Sequence, residues 1–354
     1  MKVLVIFSAG GIGGAEKNLC KLSKSKSNKI NYTFYTLKSH GEIFEYFSQL
    51  GIEPVNKKIT SIPLLKIIDL YLFIVSNIDC IYTCGIKASI IARSIKLFKP
   101  KIRIINAVRC NLNDNNYKEK AISFIEKKTT KLVDGYISNS SAAINTYSKY
   151  LKIPKSKLFL IYNGISQQDR NKILNIKKKY IITIANLSKR KNHMNYLEVL
   201  KNFEPNDHKY NFLFIGDGPE KIHLQKKIKK DNIKNCELIG FQKNILPFLF
   251  ASKIFVLPSL YGEGCPTSIL EALSFGIPVI AFNIDGINEL VEHGYNGFLI
   301  KKGDYKSFYN SIKHIIDDEK LYSELSLNAL NSSRRFSEGN FLNLHDEYFI
   351  NKTS

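Results

Sequence analysis

The feature that most constrains this chain is a repeated alternation of short apolar runs with amphipathic stretches. Residues 2–7 (KVLVIF) read as a buried strand that runs into Gly10-Gly11-Ile12-Gly13-Gly14, with a helix from Ala15. Further strands are expected at 32–36, 80–83, 102–108 and 135–138, with helical patterns at 88–98 and 117–131. Strands spaced by helices of this length imply a parallel sheet covered on both faces. Asn139-Ser140-Ser141 offers an N-cap for the helix that follows.

The pattern then restarts. Asn163-Gly164 is a turn dipeptide, and 166–179 is polar and Lys-rich, which suits a linker. Strands are expected at 180–185, 210–215, 236–240, 254–257 and 278–281, and helices at 192–200, 245–252 and 267–275. The architecture is therefore α/β, with two Rossmann-like, doubly wound halves in series. Two such halves facing one another make a ligand-binding cleft at the carboxyl ends of their strands. The expected divisions are 1–165, 166–335 and a C-terminal helix in 336–354. In that tail Phe341, Leu344 and Tyr348 fit one packing face.

Length agrees with two domains: 354 residues stand against roughly 100–200 per domain. The best membrane-span candidate, 64–82, is broken by Lys66, Asp69, Asn77 and Asp79. The first residues are too short for a secretion signal and lead into the glycine loop. Six scattered Cys form no CxxC pair and no zinc-like quartet, so a reducing cytoplasm is the expected compartment.

Net charge is +21, and residues 1–160 carry 26 Lys+Arg against 10 Asp+Glu. The excess thus sits in the first half. It reads as a Lys/Asn/Ile-rich composition bias together with a membrane-facing domain rather than as nucleic-acid binding, because there is no Arg-rich tract and no aromatic RNA-binding box. Nucleic acid is therefore not the expected partner.

Two glycine signatures fail. A GxGxxG started at Gly11 meets Glu16 where the last glycine belongs, and no GxxxxGK[ST] occurs. What remains is a bare strand–glycine–helix turn that can approach a phosphate or sugar. The block from Phe255 to Leu273 is more specific. Glu263 and Glu271 stand eight apart, with Gly264, Cys265 and Pro266 between them and Thr267 at a helix start. That spacing offers backbone N–H groups for a diphosphate and two carboxylates for sugar hydroxyls. A single such acid is equally well explained as dipole-favoured near a helix start.

With these residues in view, the chain resembles the family 4 glycosyltransferases, GT-B-fold retaining enzymes that use nucleotide-activated sugars. The resemblance runs through Gly13-Gly14-Ala15-Glu16, Tyr162-Asn163-Gly164-Ile165, Ala185-Asn186-Leu187-Ser188-Lys189-Arg190-Lys191-Asn192-His193 and Ile215-Gly216-Asp217-Gly218-Pro219. It continues through the Glu263–Glu271 block, Gly276-Ile277-Pro278-Val279-Ile280, and Gly286, Glu289, Val291, Gly294 and Asn296-Gly297.

The resemblance implies an acceptor-binding first domain and a nucleotide-sugar-binding second domain, with the last helix crossing back onto the first. Glu271 would hold the ribose hydroxyls. Glu263 would contact the transferred sugar, together with backbone N–H groups around Gly264, Cys265, Pro266 and Thr267. Lys191 would neutralise the diphosphate, and Gly13 and Gly14 would close over it. Gly216, Gly218 and Phe241 would form the base side of the pocket. Many relatives carry Arg where Asn186 stands, a charge that Lys189 or Arg190 would have to supply. Many also carry His where Arg109 stands, so Arg109 joins Glu263 and Lys191 as a catalytic candidate and no general base is named.

No Asp-x-Asp occurs, so no metal site and no cofactor beyond the nucleotide-sugar co-substrate are expected. Leaving-group charge would then fall to Lys191, neighbouring cations and the Thr267 helix start. Front-face attack through an oxocarbenium-like state is the mechanism the family implies. The expected activity is transfer of a sugar, UDP-sugar favoured, to a saccharide or lipid-linked saccharide in bacterial surface-polysaccharide assembly, at the inner face of the plasma membrane. The rival readings are a nucleotide-sugar epimerase of the same fold, a nucleotide-sugar sensor and a nucleic-acid-binding protein. Of the remaining residues, His193 reads as near phosphate or on a helix surface. Cys265 reads as a small apolar filler rather than a nucleophile.

Overall fold

The computed structural model describes residues 1–8, 10–58, 63–109, 124–168, 178–203 and 210–351. The chain divides into two compact units, Met1–Gly164 with Glu338–Ser354, and Ile165–Ser337.

The first unit is built on a parallel six-stranded sheet in the order β2-β1-β3-β4-β5-β6. Its strands are β1 (Lys2–Phe7), β2 (Asn31–Thr36), β3 (Cys80–Cys84), β4 (Arg103–Val108), β5 (Gly135–Ser138) and β6 (Leu158–Leu160). Val3 to Phe7 are completely buried, as a strand covered on both faces requires. The helices are α1 (Gly14–Cys20), α2 (Glu42–Gln49), α3 (Pro63–Asn77), α4 (Ile86–Phe98) and α5 (Ser141–Leu151), with a short helical stretch at 124–129. The rest of the helix expected at 117–131 lies outside the described residues, apart from a 3₁₀ turn at Thr130–Leu132. Ser140 caps α5, its hydroxyl accepting from the Ala143 N–H at 3.4 Å. One face of the sheet packs on α3, α4 and α5 through Leu70, Ile74, Ala88, Ala92, Ile95 and Ala143.

The second unit repeats the plan with β7 (Tyr180–Ile184), β8 (Asn211–Ile215), β9 (Cys236–Gly240), β10 (Ser252–Leu257), β11 (Val279–Phe282) and β12 (Gly297–Ile300). All pairings in it are parallel, in the order β12-β11-β10-β7-β8-β9. Read from the other edge and renumbered within the unit, this is the doubly wound order 3-2-1-4-5-6. Its helices are α6 (His193–Leu200), α7 (Lys221–Lys230), α8 (Leu246–Phe250), α9 (Thr267–Ser274), α10 (Tyr305–Asp317) and α11 (Glu319–Ser333). Most of the expected linker, 169–177, lies outside the described residues.

The final helix, α12 (Glu338–Asn351), belongs to the first unit. Its buried face is Phe341, His345, Tyr348 and Phe349, while Leu344 is 46% exposed. The expected Phe341–Leu344–Tyr348 face is therefore off by a fraction of a turn, because the buried position is taken by a histidine. Gly164 fits under this helix: a Cβ there would lie 2.5 Å from Phe341 Cβ.

Candidate active site

The second unit changes winding direction between β7 and β10. Ligands of doubly wound sheets bind beyond the carboxyl ends of the strands at such a point. The chain leaving β7 passes Asn186, makes a 3₁₀ turn at Lys189–Lys191 and enters α6. The chain leaving β10 carries Glu263 into α9. Because β7 and β10 are neighbours, the two loops meet. The Leu260 N–H donates to the Arg190 carbonyl at 3.0 Å.

At that meeting Glu263 Oε1 accepts from Lys191 Nζ at 2.6 Å and from Arg190 Nη1 at 2.8 Å. Arg190 also donates to the Tyr261 and Gly262 carbonyls. Lys191 and Glu263 are buried, 8% and 5% exposed, so neither charge is dissolved by water. Burial alone would raise the Glu263 carboxyl, but Lys191 and Arg190 outweigh it and hold it below the usual carboxylate range. Burial pushes the Lys191 ammonium down, and the carboxylate opposes that shift. Two cations on one carboxylate leave the trio with one net positive charge, a fit for an anionic group beside it.

The loop geometry depends on glycine. A Cβ on Gly286, at φ +83°, would lie 2.2 Å from the Gly264 carbonyl oxygen and 2.4 Å from that of Glu263. A Cβ on Gly216, at φ +145°, would lie 2.0 Å from the Ala185 carbonyl oxygen. Gly218 also has positive φ, and the Leu187 N–H donates to the neighbouring Asp217 carbonyl. The loops after β7 and β8, and those after β10 and β11, are thereby pressed together.

Pro266 forms the N-cap of α9, and the first bond back to its carbonyl comes from the Ile269 N–H at 3.1 Å. Thr267 opens the helix, and Glu271 follows slightly more than one turn in, half-buried. Cys265 is buried among these residues. Asn186 is exposed after β7, and Phe241 is 68% exposed after β9. His193 is not on a helix surface, one of its two expected places. It is 2% exposed, packs on the Phe214 ring, and has no partner on either ring nitrogen. Burial, with the Lys191 charge nearby, lowers it to about 3, so the ring is neutral. It lines a pocket of about 200 Å³ with Ser188, Asn195 and Glu220.

In the first unit, Gly13 caps α1 and its N–H donates to Glu16 Oε2 at 3.0 Å, with Gly14 the first helical residue. Arg109 lies two strands away, just past β4. Its Nη1 donates to Asn163 Oδ1 at 3.3 Å and its Nη2 to the Tyr82 hydroxyl at 3.1 Å. Tyr82 in turn lies 3.3 Å from His345 Nε2. His345 Nδ1 lies 2.8 Å from the Phe341 carbonyl, which can only accept, so Nδ1 carries the proton and the Tyr82 hydroxyl donates to Nε2. Tyr82 and His345 carry no motif in the sequence; only the fold brings them to Arg109. Among the described residues, no cluster of three His, Cys, Asp or Glu could hold a metal.

Residues 165–332 match the family model of the group 1 glycosyl transferases. A galactosyltransferase of Escherichia coli, the UDP-Gal:alpha-D-GlcNAc-diphosphoundecaprenol alpha-1,3-galactosyltransferase, is 33% identical over 59% of this chain and 56% of its own length. The N,N'-diacetylbacillosaminyl-diphospho-undecaprenol alpha-1,3-N-acetylgalactosaminyltransferase of Campylobacter jejuni is 28% identical over 57% and 54%. The chain thus spans about half the length of the curated relatives it matches. Among solved structures, Anabaena Alr3699/HepE in complex with UDP superposes with a TM-score of 0.84 at 20% identity, over 99% of this chain and all of that one. The chain has the α/β GT-B fold of two Rossmann-like domains, and its residues 165–332 are similar to the group 1 glycosyl transferases.

Proposed function

We propose that the protein is a retaining, metal-independent glycosyltransferase that moves a sugar from a UDP-sugar to a lipid-linked saccharide at the inner membrane face. The observation that carries this reading is the buried Lys191–Glu263–Arg190 trio at the switch point of the second unit. Support comes also from relatives named for UDP-galactose and undecaprenyl-diphosphate-linked substrates, and from a UDP-bound structural neighbour.

The trio and the start of α9 supply positive potential for a diphosphate. Glu271 would accept from the ribose hydroxyls, and Phe241 would lie against the base. As the glycosidic bond breaks, its electron pair goes to the leaving diphosphate, whose added charge the Lys191 side stabilises. With the Glu263 carboxylate held by Lys191 and Arg190, the acceptor hydroxyl would attack on the face the diphosphate leaves. Its proton would pass to that diphosphate. In the first unit Arg109, fixed by Tyr82 and Asn163, would be the charged group on the acceptor side.

The test is incubation with UDP-sugars and a polyprenyl-diphosphate-linked saccharide. The reading predicts a product one sugar heavier, with the anomeric configuration of the donor kept. Donor binding without transfer to any acceptor, or an inverted product, would contradict it.

A further inference from the structure

A groove of about 800 Å³ runs between α6 and α10 in the second unit, inside the ~300–1,000 Å³ usual for a ligand site. One wall is the face of α6 that carries Asn195, Glu198 and Val199. The other is the face of α10 that carries Tyr305 and Tyr309, four residues apart. Both rings are half-buried and fixed from behind, Tyr305 edge-on to Phe282 at 5.7 Å and Tyr309 on Phe203 at 4.5 Å. Asn310, exposed, lies on the rim.

At Asn195 the groove adjoins the pocket of about 200 Å³ that His193 lines. His193 is buried with no partner on either ring nitrogen. A neutral imidazole has one N–H to give and one lone pair to fill. A carboxylate or phosphate accepts only and an ammonium donates only, whereas hydroxyl groups do both. The polar atoms along the groove have the same mixed character. Asn195 Nδ2 donates to Asn192 Oδ1 at 2.8 Å, which leaves the Asn195 amide oxygen for a donor. The Tyr305 hydroxyl accepts from Asn192 Nδ2 at 3.2 Å and keeps its own hydrogen to give. Of the two lysines on the groove, Lys201 is matched by Glu198 and Asp231 at 2.8 Å each, a poor arrangement for drawing in a phosphate.

We infer that this groove is a second saccharide site, which takes a short neutral sugar chain with its ring faces on Tyr305 and Tyr309 and its terminal hydroxyls in the His193 pocket. A half-buried tyrosine offers a flat apolar face with a polar tip, and the amides and Glu198 reach the hydroxyls at the edge of a sugar ring. The groove and its pocket share no residue with the nucleotide-sugar position proposed above. Asn192, bonded to Tyr305 and next to Lys191 in the chain, is the link between the two. A growing saccharide held there would stay on the protein between transfers. That meaning rests on the glycosyltransferase reading, whereas the site itself does not.

The full chain, with UDP in excess, would be titrated with maltotetraose and chitotetraose, and with a hyaluronan tetrasaccharide as the charged counterpart, by calorimetry and saturation-transfer NMR. Tyr309→Ser, Asn195→Ala/Asn310→Ala and His193→Leu would run beside wild type, with circular dichroism to check folding. The paired asparagine variant changes only polar side chains on the groove and keeps the test open should Tyr309→Ser unfold. Glu271→Ala, titrated without UDP, separates the groove from the donor position. Expected are binding of a neutral tetrasaccharide ahead of hyaluronan, a loss of about tenfold in the groove variants, and no change in Glu271→Ala. Binding of neither neutral chain, tighter binding of hyaluronan, or wild-type affinity in the groove variants would overturn the inference. So would loss of the saccharide in Glu271→Ala, because the chain would then occupy the donor position. Failure of UDP to bind while the tetrasaccharide still does would instead count against the proposed function alone.

Discussion

Lys191 Nζ lies 2.6 Å from Glu263 Oε1, joining residues seventy-two positions apart into one buried ion pair at the winding reversal of the second unit. Removing Glu263 strands the Lys191 ammonium in the interior, whereas removing Lys191 leaves Glu263 with Arg190. Glu263→Gln is expected to cost about 3–5 kcal/mol and Lys191→Met less, and the double variant Lys191→Met/Glu263→Gln less than the sum of the two singles. Urea unfolding of the four proteins measures this coupling. Additive losses would mean that the contact carries no energy of its own. With saturating donor, turnover of Lys191→Ala should also fall; an unchanged value would refute its part in stabilising the leaving group.

The glycine at 286 should behave unlike the one at 294. Both have positive φ, but a Cβ on Gly294 meets nothing within 4 Å whereas one on Gly286 meets two carbonyl oxygens of the Glu263 loop. Gly294→Ala is expected to cost about 1 kcal/mol from backbone strain alone. Gly286→Ala should displace the Glu263 loop and weaken nucleotide binding as well as lowering Tm. Equal effects of the two on binding would show that the loop tolerates the shift.

Much of this was legible before the fold was known. The alternation from β1 onward marks both sheets, since a strand covered on two faces must be apolar along its length. The block around Glu263 marks a loop leading into a helix, because Pro266 suits a helix start. What escaped were short or ambiguous signals. β6 has three residues and β12 four, too few to show a period. On α12, Leu344 looked like the core position but His345 holds it, because its ring bonds both Tyr82 and the Phe341 carbonyl. His193 likewise gave no sign in the sequence that both its nitrogens would be enclosed. The Lys191–Glu263 contact was illegible for a different reason: only the strand order sets β7 beside β10.

Acid should destabilise the protein earlier than its carboxylates require. Burial lowers His193 and His345 to about 3, against an ordinary value near 6.5. The unfolded chain therefore binds more protons than the folded one between those values. The stabilisation is complete above about pH 6.5 and is lost as pH falls, by up to about 1.4 kcal/mol per pH unit for each ring. His345→Phe, compared with wild type by urea unfolding between pH 7 and pH 4, should show a shallower pH slope for the first unit. An unchanged slope would mean that the ring is already protonated in the folded state.

Tyr82 should matter through Arg109. Its hydroxyl accepts from Arg109 Nη2 and donates to His345 Nε2, so Tyr82→Phe removes two bonds in a buried setting at a cost of about 1–3 kcal/mol. If Arg109 serves the acceptor side, Tyr82→Phe should lower kcat/KM for the acceptor in the wild-type background and add little in Arg109→Ala. Independent, additive losses in that cycle would detach Tyr82 from the role of Arg109.

The most direct test of the central claim is titration calorimetry of UDP, GDP, ADP and CMP against wild type and Glu271→Ala. The account predicts that UDP binds in the micromolar range, ahead of the other three, and that Glu271→Ala loses that binding while remaining folded. Binding of none of the nucleotides, or UDP binding that Glu271→Ala leaves intact, would contradict the placing of a nucleotide-sugar at the loops after β7 and β10.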